Sequence, residues 1–144
     1  KAVDASSGKP IWETPHAHAG YQNSIPIVWG DLVLANGTDL HGLDLETGNR
    51  RWTVACGREA DRFLRSRRQA MAGSSTPVVA GQLAFVGHDD TSIRAVDRQG
   101  HVQWEHRLGT PVKTAPIVSG NLLLVHDYAG NLWCFAGKAS RESQ

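Results

Sequence analysis

No stretch of this 144-residue chain is apolar for long: runs such as LLLV at 122–125 fall far short of a membrane span, which requires roughly 18 residues. No segment has the order of a signal peptide, so nothing in the sequence points to a membrane span. A surplus of one charge is also lacking, with fifteen Lys and Arg against fourteen Asp and Glu. Net charge therefore gives no reason to expect nucleic acid as a partner. Cysteine is scarce as well, Cys56 and Cys134 standing 78 positions apart and in no metal-type spacing. Neither a disulfide framework nor a metal site follows, and the redox state of the two thiols stays open. No Ser/His/Asp order, phosphate-cradling glycine loop or pair of catalytic carboxylates stands out, so no catalytic residue is assigned.

What the chain does contain is repetition. AVDASSGKPIWET at 2–14 returns as GLDLETGNRRWTV at 42–54 and as AVDRQGHVQWEHR at 95–107. In register, Asp4, Asp44 and Asp97 form one column and Trp12, Trp52 and Trp104 another, the tryptophans spaced by 40 and 52 residues. A second motif agrees: SIPIVWGDLVLAN, STPVVAGQLAFVG and TAPIVSGNLLLVH align through Pro26, Pro77 and Pro116, spaced by 51 and 39. The base period is near 40, and one unit carries an insertion of about a dozen residues.

Within a unit, short β-branched and aliphatic runs alternate with Gly, Asn and Asp turns, which predicts four strands per repeat. In the second unit these are expected at 25–28, 32–35, 40–43 and 50–54. Four strands in about 40 residues is the period of a propeller blade. The expected architecture is all-β, a partial β-propeller of four-stranded antiparallel blades. Residues 1–14 end one blade, 24–54 and 75–107 are blades, 55–73 is an inserted basic loop or helix, 114–136 is a terminal incomplete blade and 137–144 is a tail. The count is thirteen strands, about three and a quarter blades, where closed rings use four to eight. Together with the start at Lys1 inside a repeat, this predicts a fragment of a seven- or eight-bladed ring whose missing blades lie N-terminal.

The repeated residues have a physical rationale. Asp at the end of strand three accepts backbone N–H groups of the next turn, and Gly8, Gly48 and Gly100 supply the positive φ such a turn needs. The Trp four residues beyond each Gly projects from the outer strand and can wedge between blades. The column two before the Asp holds Ala2, Gly42 and Ala95, with Cys134 in the last unit, all small enough for a ring to lie close to the backbone.

These residues resemble the pyrroloquinoline-quinone-like repeat of quinoprotein-type β-propellers, whose tryptophan-docking motif runs Ala-x-Asp-x-x-x-Gly-x-x-x-Trp. AVDASSGKPIW fits, GLDLETGNRRW has Gly for Ala, AVDRQGHVQW lacks one turn residue, and LWCFAGKAS has Ala136 in the Asp column with no Trp after it. The resemblance implies a propeller, with several possible uses. One is a non-catalytic binding scaffold in a periplasmic or extracellular protein, as in outer-membrane assembly. Others are a quinone-dependent dehydrogenase, or an accessory or sensor propeller beside a kinase or metallophosphoesterase domain. Dehydrogenases of this kind often stack a disulfide of adjacent cysteines on the quinone, and no Cys-Cys pair exists here. No cofactor residue is transferred.

In such a propeller the connections between blades and the loops between strands two and three share one face. That face is expected to carry His16, His18, His88, Asp89, Asp90, His106, His126 and Asp127. HAH and HDD contain ligand types that zinc or manganese would use. Polar loop tips collect His and Asp for solvation and turn formation, however, and no metal site is assigned. The insertion reads as a short helix whose Arg65, Arg67 and Arg68 add to a local positive patch, suited either to a solvated cover or to an anionic ligand or acidic protein surface. Trp133 and Phe135 are expected to serve sheet packing.

Overall fold

The computed structural model describes residues 1–14, 24–56 and 75–137. Among these, thirteen strands form four antiparallel sheets and no helix is present. The first sheet pairs β1 (Ala2–Val3) with β2 (Pro10–Trp12). The second runs in order β3 (Ile27–Trp29), β4 (Leu32–Asn36), β5 (Leu40–Asp44) and β6 (Arg50–Val54). The third repeats it with β7 (Val78–Ala80), β8 (Leu83–Gly87), β9 (Ser92–Asp97) and β10 (Val102–Arg107). The fourth has three strands, β11 (Ile117–Ser119), β12 (Leu122–His126) and β13 (Leu132–Ala136). Sheets of two, four, four and three meandering strands, each following the last in sequence, are a partial β-propeller.

Strand one of the second unit differs from the expected 25–28, forming instead at Ile27–Trp29. Pro26 has no N–H to give a ladder, and the Ile25 N–H is taken by Thr76 Oγ1 at 2.9 Å. The hairpin from strand one to strand two turns on a glycine in every unit, Gly30, Gly81 and Gly120, with φ of 63°, 59° and 56°. A glycine with positive φ at the first central position suits the two-residue hairpin that matches strand twist. The inserted helix expected at 55–73 lies, beyond Cys56, outside the described residues, as does the tail beyond Gly137.

Alternation along the strands sends two apolar faces into two seams. Between the second and third sheets, Leu34, Leu40 and Val54 meet Ala84, Val86 and Val96, with Trp29 and Cys56 at the margins. Between the third and fourth, Ile93 faces Leu123 and Val125, with Phe85, Trp104, Trp133 and Phe135 packed around them. Trp133 and Phe135 thus sit in the packing between sheets.

The repeated Asp, Gly and Trp converge at one end of these seams. Asp44 Oδ1 accepts the N–H groups of Glu46 and Thr47 at 3.1 and 2.8 Å, and Asp4 does the same for Ser6 and Ser7. Together with Arg51, these bonds hold the Asp44 carboxyl at about 2. In the shorter third copy Asp97 reaches Gln99 and His101 instead, both at 2.9 Å. The tryptophan of one sheet then lies on the glycine of the next sheet's turn. A Cβ on Gly48 would collide with the Trp12 ring, and one on Gly100 would stand 2.7 Å from that of Trp52. Each indole Nε1–H donates to the carbonyl next to the following Asp, Trp12 to Leu45 at 3.1 Å and Trp52 to Arg98 at 2.9 Å. The small column sits beneath the same rings: Gly42 is the cross-strand partner of Trp52, and Ala95 that of Trp104.

Candidate binding face

The opposite end of the seams carries the loops between strands two and three and the connections between sheets. His16, His18, Arg65, Arg67 and Arg68 lie outside the described residues. The others divide into buried and exposed groups. His88 is 2 % exposed and Asp127 is 1 % exposed, so neither is presented to solvent. Asp127 holds its own loop together: Oδ1 accepts the N–H groups of Ala129 and Asn131 at 3.0 and 2.9 Å, and Oδ2 accepts Asn131 Nδ2 and Trp133 Nε1, both at 2.9 Å. Burial by itself would raise the Asp127 carboxyl, yet these donors hold it far below the usual carboxylate range. It does at this loop what Asp97 does at the other end. His106, expected in a connection, belongs to β10 and meets Trp133 and Phe135 edge-on at 6.2 and 5.4 Å.

A buried polar cluster occupies the seam between the second and third sheets. Arg94, on β9, is 6 % exposed. Its Nη2 donates to Asp90 Oδ2 at 2.5 Å and its Nε to Glu105 Oε2 at 2.9 Å. Asp90 also receives Ser92 N–H and Oγ–H, at 3.1 and 2.5 Å. Burial pushes Asp90 up, but the bonds from Arg94 and Ser92 outweigh it and hold the carboxyl at about 2. From the second sheet, Asp39 Oδ1 accepts the Cys56 N–H at 3.0 Å, and Asn36 Nδ2 donates to Ser75 O at 2.7 Å. Burial raises the Cys56 thiol to about 11, which keeps it protonated. Two carboxylates share one guanidinium here, and among the described residues no three His, Cys, Asp or Glu converge as ligands for a metal.

Asp89 lies nearer the surface, with Lys113 Nζ at 3.6 Å from its Oδ1. The same ammonium stands 5.1 Å from the ring centroid of Tyr128, which is 74 % exposed. His126 is exposed at the end of β12. Sequence reasoning missed Arg94 and Glu105, and it placed the stretches 106–113 and 126–131 on this face without singling out Lys113 and Tyr128. For Arg94 a signal existed: it stands one residue before the small column inside a strand otherwise buried on both faces, where an arginine must be paired.

The fold and its docking geometry define a tryptophan-docked β-propeller segment, built by repetition of one Asp, Gly and Trp lock. Residues 40–142 match the family model described as outer membrane protein assembly factor BamB. That match spans well over half of the chain, and the chain belongs to this family. Curated relatives include the outer membrane protein assembly factors BamB of Moranella endobia (strain PCIT) and Yersinia pestis, each 27 % identical to it. The alignments cover 95 % and 91 % of this chain but only 37 % and 34 % of those proteins. The chain thus spans little more than a third of the relatives it matches. Among solved structures, BamB from Moraxella catarrhalis superposes with a TM-score of 0.72 at 24 % identity, over 93 % of this chain and 38 % of that one. A quinohemoprotein alcohol dehydrogenase from Pseudomonas putida HK5 gives 0.70 at 16 % identity, over 88 % of this chain and 20 % of that one. At these identities the likeness is one of fold.

Proposed function

We propose that the chain is part of a non-catalytic propeller scaffold that binds protein segments during outer-membrane assembly, on the periplasmic or extracellular side, and that its loop face is the binding surface. The observation that carries this reading is the family match over residues 40–142, the family being described as an outer-membrane assembly factor. The chemistry of the face supports it. Its described buried carboxylates are tied to Arg94, Trp133 and loop N–H groups, an arrangement that stiffens loops. Toward solvent stand His126 and Tyr128, with the half-buried Lys113 beside the tyrosine, an aromatic and cationic pairing suited to a polypeptide with acidic groups. The basic insertion with Arg65, Arg67 and Arg68, and His16 and His18 in the first connection, would extend the same face. Blades beyond this segment would complete a ring of seven or eight, in keeping with the third of the relatives' length that it spans.

The test is complementation of a strain deleted for the parent gene. Folded β-barrel protein in its outer membrane is expected to fall and to be restored by the wild-type gene. A Tyr128→Glu, Lys113→Glu variant that accumulates normally is expected not to restore it. An unchanged outer membrane in the deletion strain overturns the assembly role. Dye reduction by the purified parent protein with added pyrroloquinoline quinone and calcium overturns the non-catalytic one.

A further inference from the structure

The β8–β9 hairpin, His88 to Ser92, gathers two unfavourable features in five residues. Its His88 is 2 % exposed, and Nε2 has no hydrogen-bond partner among the described residues. Its Thr91 has φ of 69°, the single non-glycine residue with positive φ among the described residues. The corresponding place in the fourth sheet's loop is Gly130, with φ of 89°. A β-branched residue in the left-handed region is strained. The hairpin is held in place by identifiable bonds: Asp90 to Arg94 at 2.5 Å, Val112 N–H to His88 O at 3.0 Å and Leu108 N–H to Thr91 O at 2.8 Å. Strain at Thr91 and the unpartnered nitrogen of His88 are both relieved when such a hairpin opens, so both lower the free energy of local opening.

We propose that this hairpin is an acid-released latch: uptake of one proton by the His88 imidazole drives the ring out of the seam between the second and third sheets and opens that end of the loop face. The groups facing His88 set its sensitivity. Burial disfavours the imidazolium most strongly. Asp90 on the hairpin and Asp39 from the loop before β5 favour it, and Arg94 opposes it. Cys56, behind β6, stays a neutral thiol, and Glu105 on β10 acts through Arg94. The balance lowers His88 from 6.5 to about 4. A histidine whose closed-state pKa lies below its free value stabilises the closed form fully above the free value and progressively less as pH falls toward the closed-state value. The window is therefore about 6.5 down to about 4. The latch rests on the hairpin's geometry and the burial of His88, and only its consequence for partner binding rests on the scaffold reading above.

Hydrogen exchange read by mass spectrometry on the intact protein, corrected for intrinsic rates from pH 7.5 to 4.5, tests this without a partner. Peptides containing Leu108 and Val112 report the latch. Their protection is expected to fall by about tenfold per pH unit below about 6.5, the factor that linkage assigns to one proton. Peptides from β4 and β5 are expected to change little. His88→Gln is expected to flatten the profile. Thr91→Gly keeps the histidine and relieves the strain, so it is expected to raise protection at every pH while leaving the onset near 6.5, which tests the idea even where His88→Gln does not fold. A flat wild-type profile, an unaltered profile in His88→Gln, or unchanged protection of these peptides in Thr91→Gly overturns the proposal.

Discussion

The seam between the second and third sheets and the seam between the third and fourth are built on the same plan and closed differently. In the former, aliphatic side chains fill the middle and both ends are fastened by polar groups. Trp52 rests on Gly100 and bonds Arg98 O at one end, and Asn36 Nδ2 bonds Ser75 O at the other, beside the ion pairs of Arg94 with Asp90 and Glu105 within the third sheet. In the latter, aromatic rings take over: Trp104 stacks on Phe135 at 5.8 Å and leans on Phe85 at 5.9 Å. Ala136 stands where the Asp of the turn would be, and a cavity of about 500 Å³ opens between Leu83, Phe85, Trp104, Val118 and Phe135. A docking tryptophan is thus half of a device. The indole supplies area, but the receiving turn decides whether its N–H and its edge find a seat.

Breaking the polar end of the closed seam is expected to have the largest effect. Arg94→Met leaves Asp90 buried without its counter-charge and is expected to cost about 3–5 kcal/mol in denaturant unfolding. Trp133→Phe, at the same column of the fourth sheet, removes one donor from Asp127 while Asn131 still serves that carboxylate, and is expected to cost about 1 kcal/mol. Equal losses at the two positions would show that the seams do not differ as described.

Next come the tryptophans themselves. Trp52 is half-buried, so Trp52→Ala is expected to cost about 3 kcal/mol, at the low end for removal of a large aromatic ring. Trp104→Ala is expected to cost about 1 kcal/mol less, since among the described residues its indole N–H has no partner comparable to Arg98 O and its ring borders open space. Thermal unfolding of both variants decides this. A greater loss at Trp104 would mean that aromatic stacking outweighs the seat.

These contrasts mark what was legible in the sequence. The strand count and the sheet order follow from residues repeated at fixed spacing, because a lock used at every seam must be written at every seam, whereas the seat of each Trp on the next turn's glycine, read only as a positive-φ position, was not foreseen. The registers of Gly42 with Trp52 and of Ala95 with Trp104 were readable for the same reason. The loop face was not, because its features occur once. HDD and HDY look alike as strings, yet Asp90 pairs with an arginine four residues on while Asp127 takes an indole N–H six residues on. Which carboxylate is buried depends on what the neighbouring sheet places opposite it. The start of β3 was misjudged because Pro26 looked apolar, whereas its missing N–H governs where pairing begins.

The glycines of the two turns sharpen the comparison at a smaller scale. Gly100 and Gly130 have φ of 87° and 89°, and each sits three residues after an Asp that caps its turn. A Cβ at Gly130 would meet nothing within 4 Å, while one at Gly100 would press on Trp52. Both alanine variants bear the left-handed strain, about 1 kcal/mol. Only Gly100→Ala also overpacks the ring, for a total of about 2–3 kcal/mol. Identical losses would place the whole requirement for glycine in the backbone and none in docking.

The smallest effect is expected at Asp31, whose carboxylate receives both Arg98 and Arg51 at the turn end of the closed seam and is 55 % exposed. Water and salt screen such a pair, so the loss in melting temperature on Asp31→Asn is expected to shrink as salt is added. Its interest lies in position, because Arg98 offers its guanidinium to Asp31 and its carbonyl to Trp52. If the ion pair steadies that carbonyl, Asp31→Asn and Trp52→Phe are expected to be non-additive when combined. Additive losses would show that indole and ion pair fasten the seam independently, and that the receiving turn is rigid without help from charge.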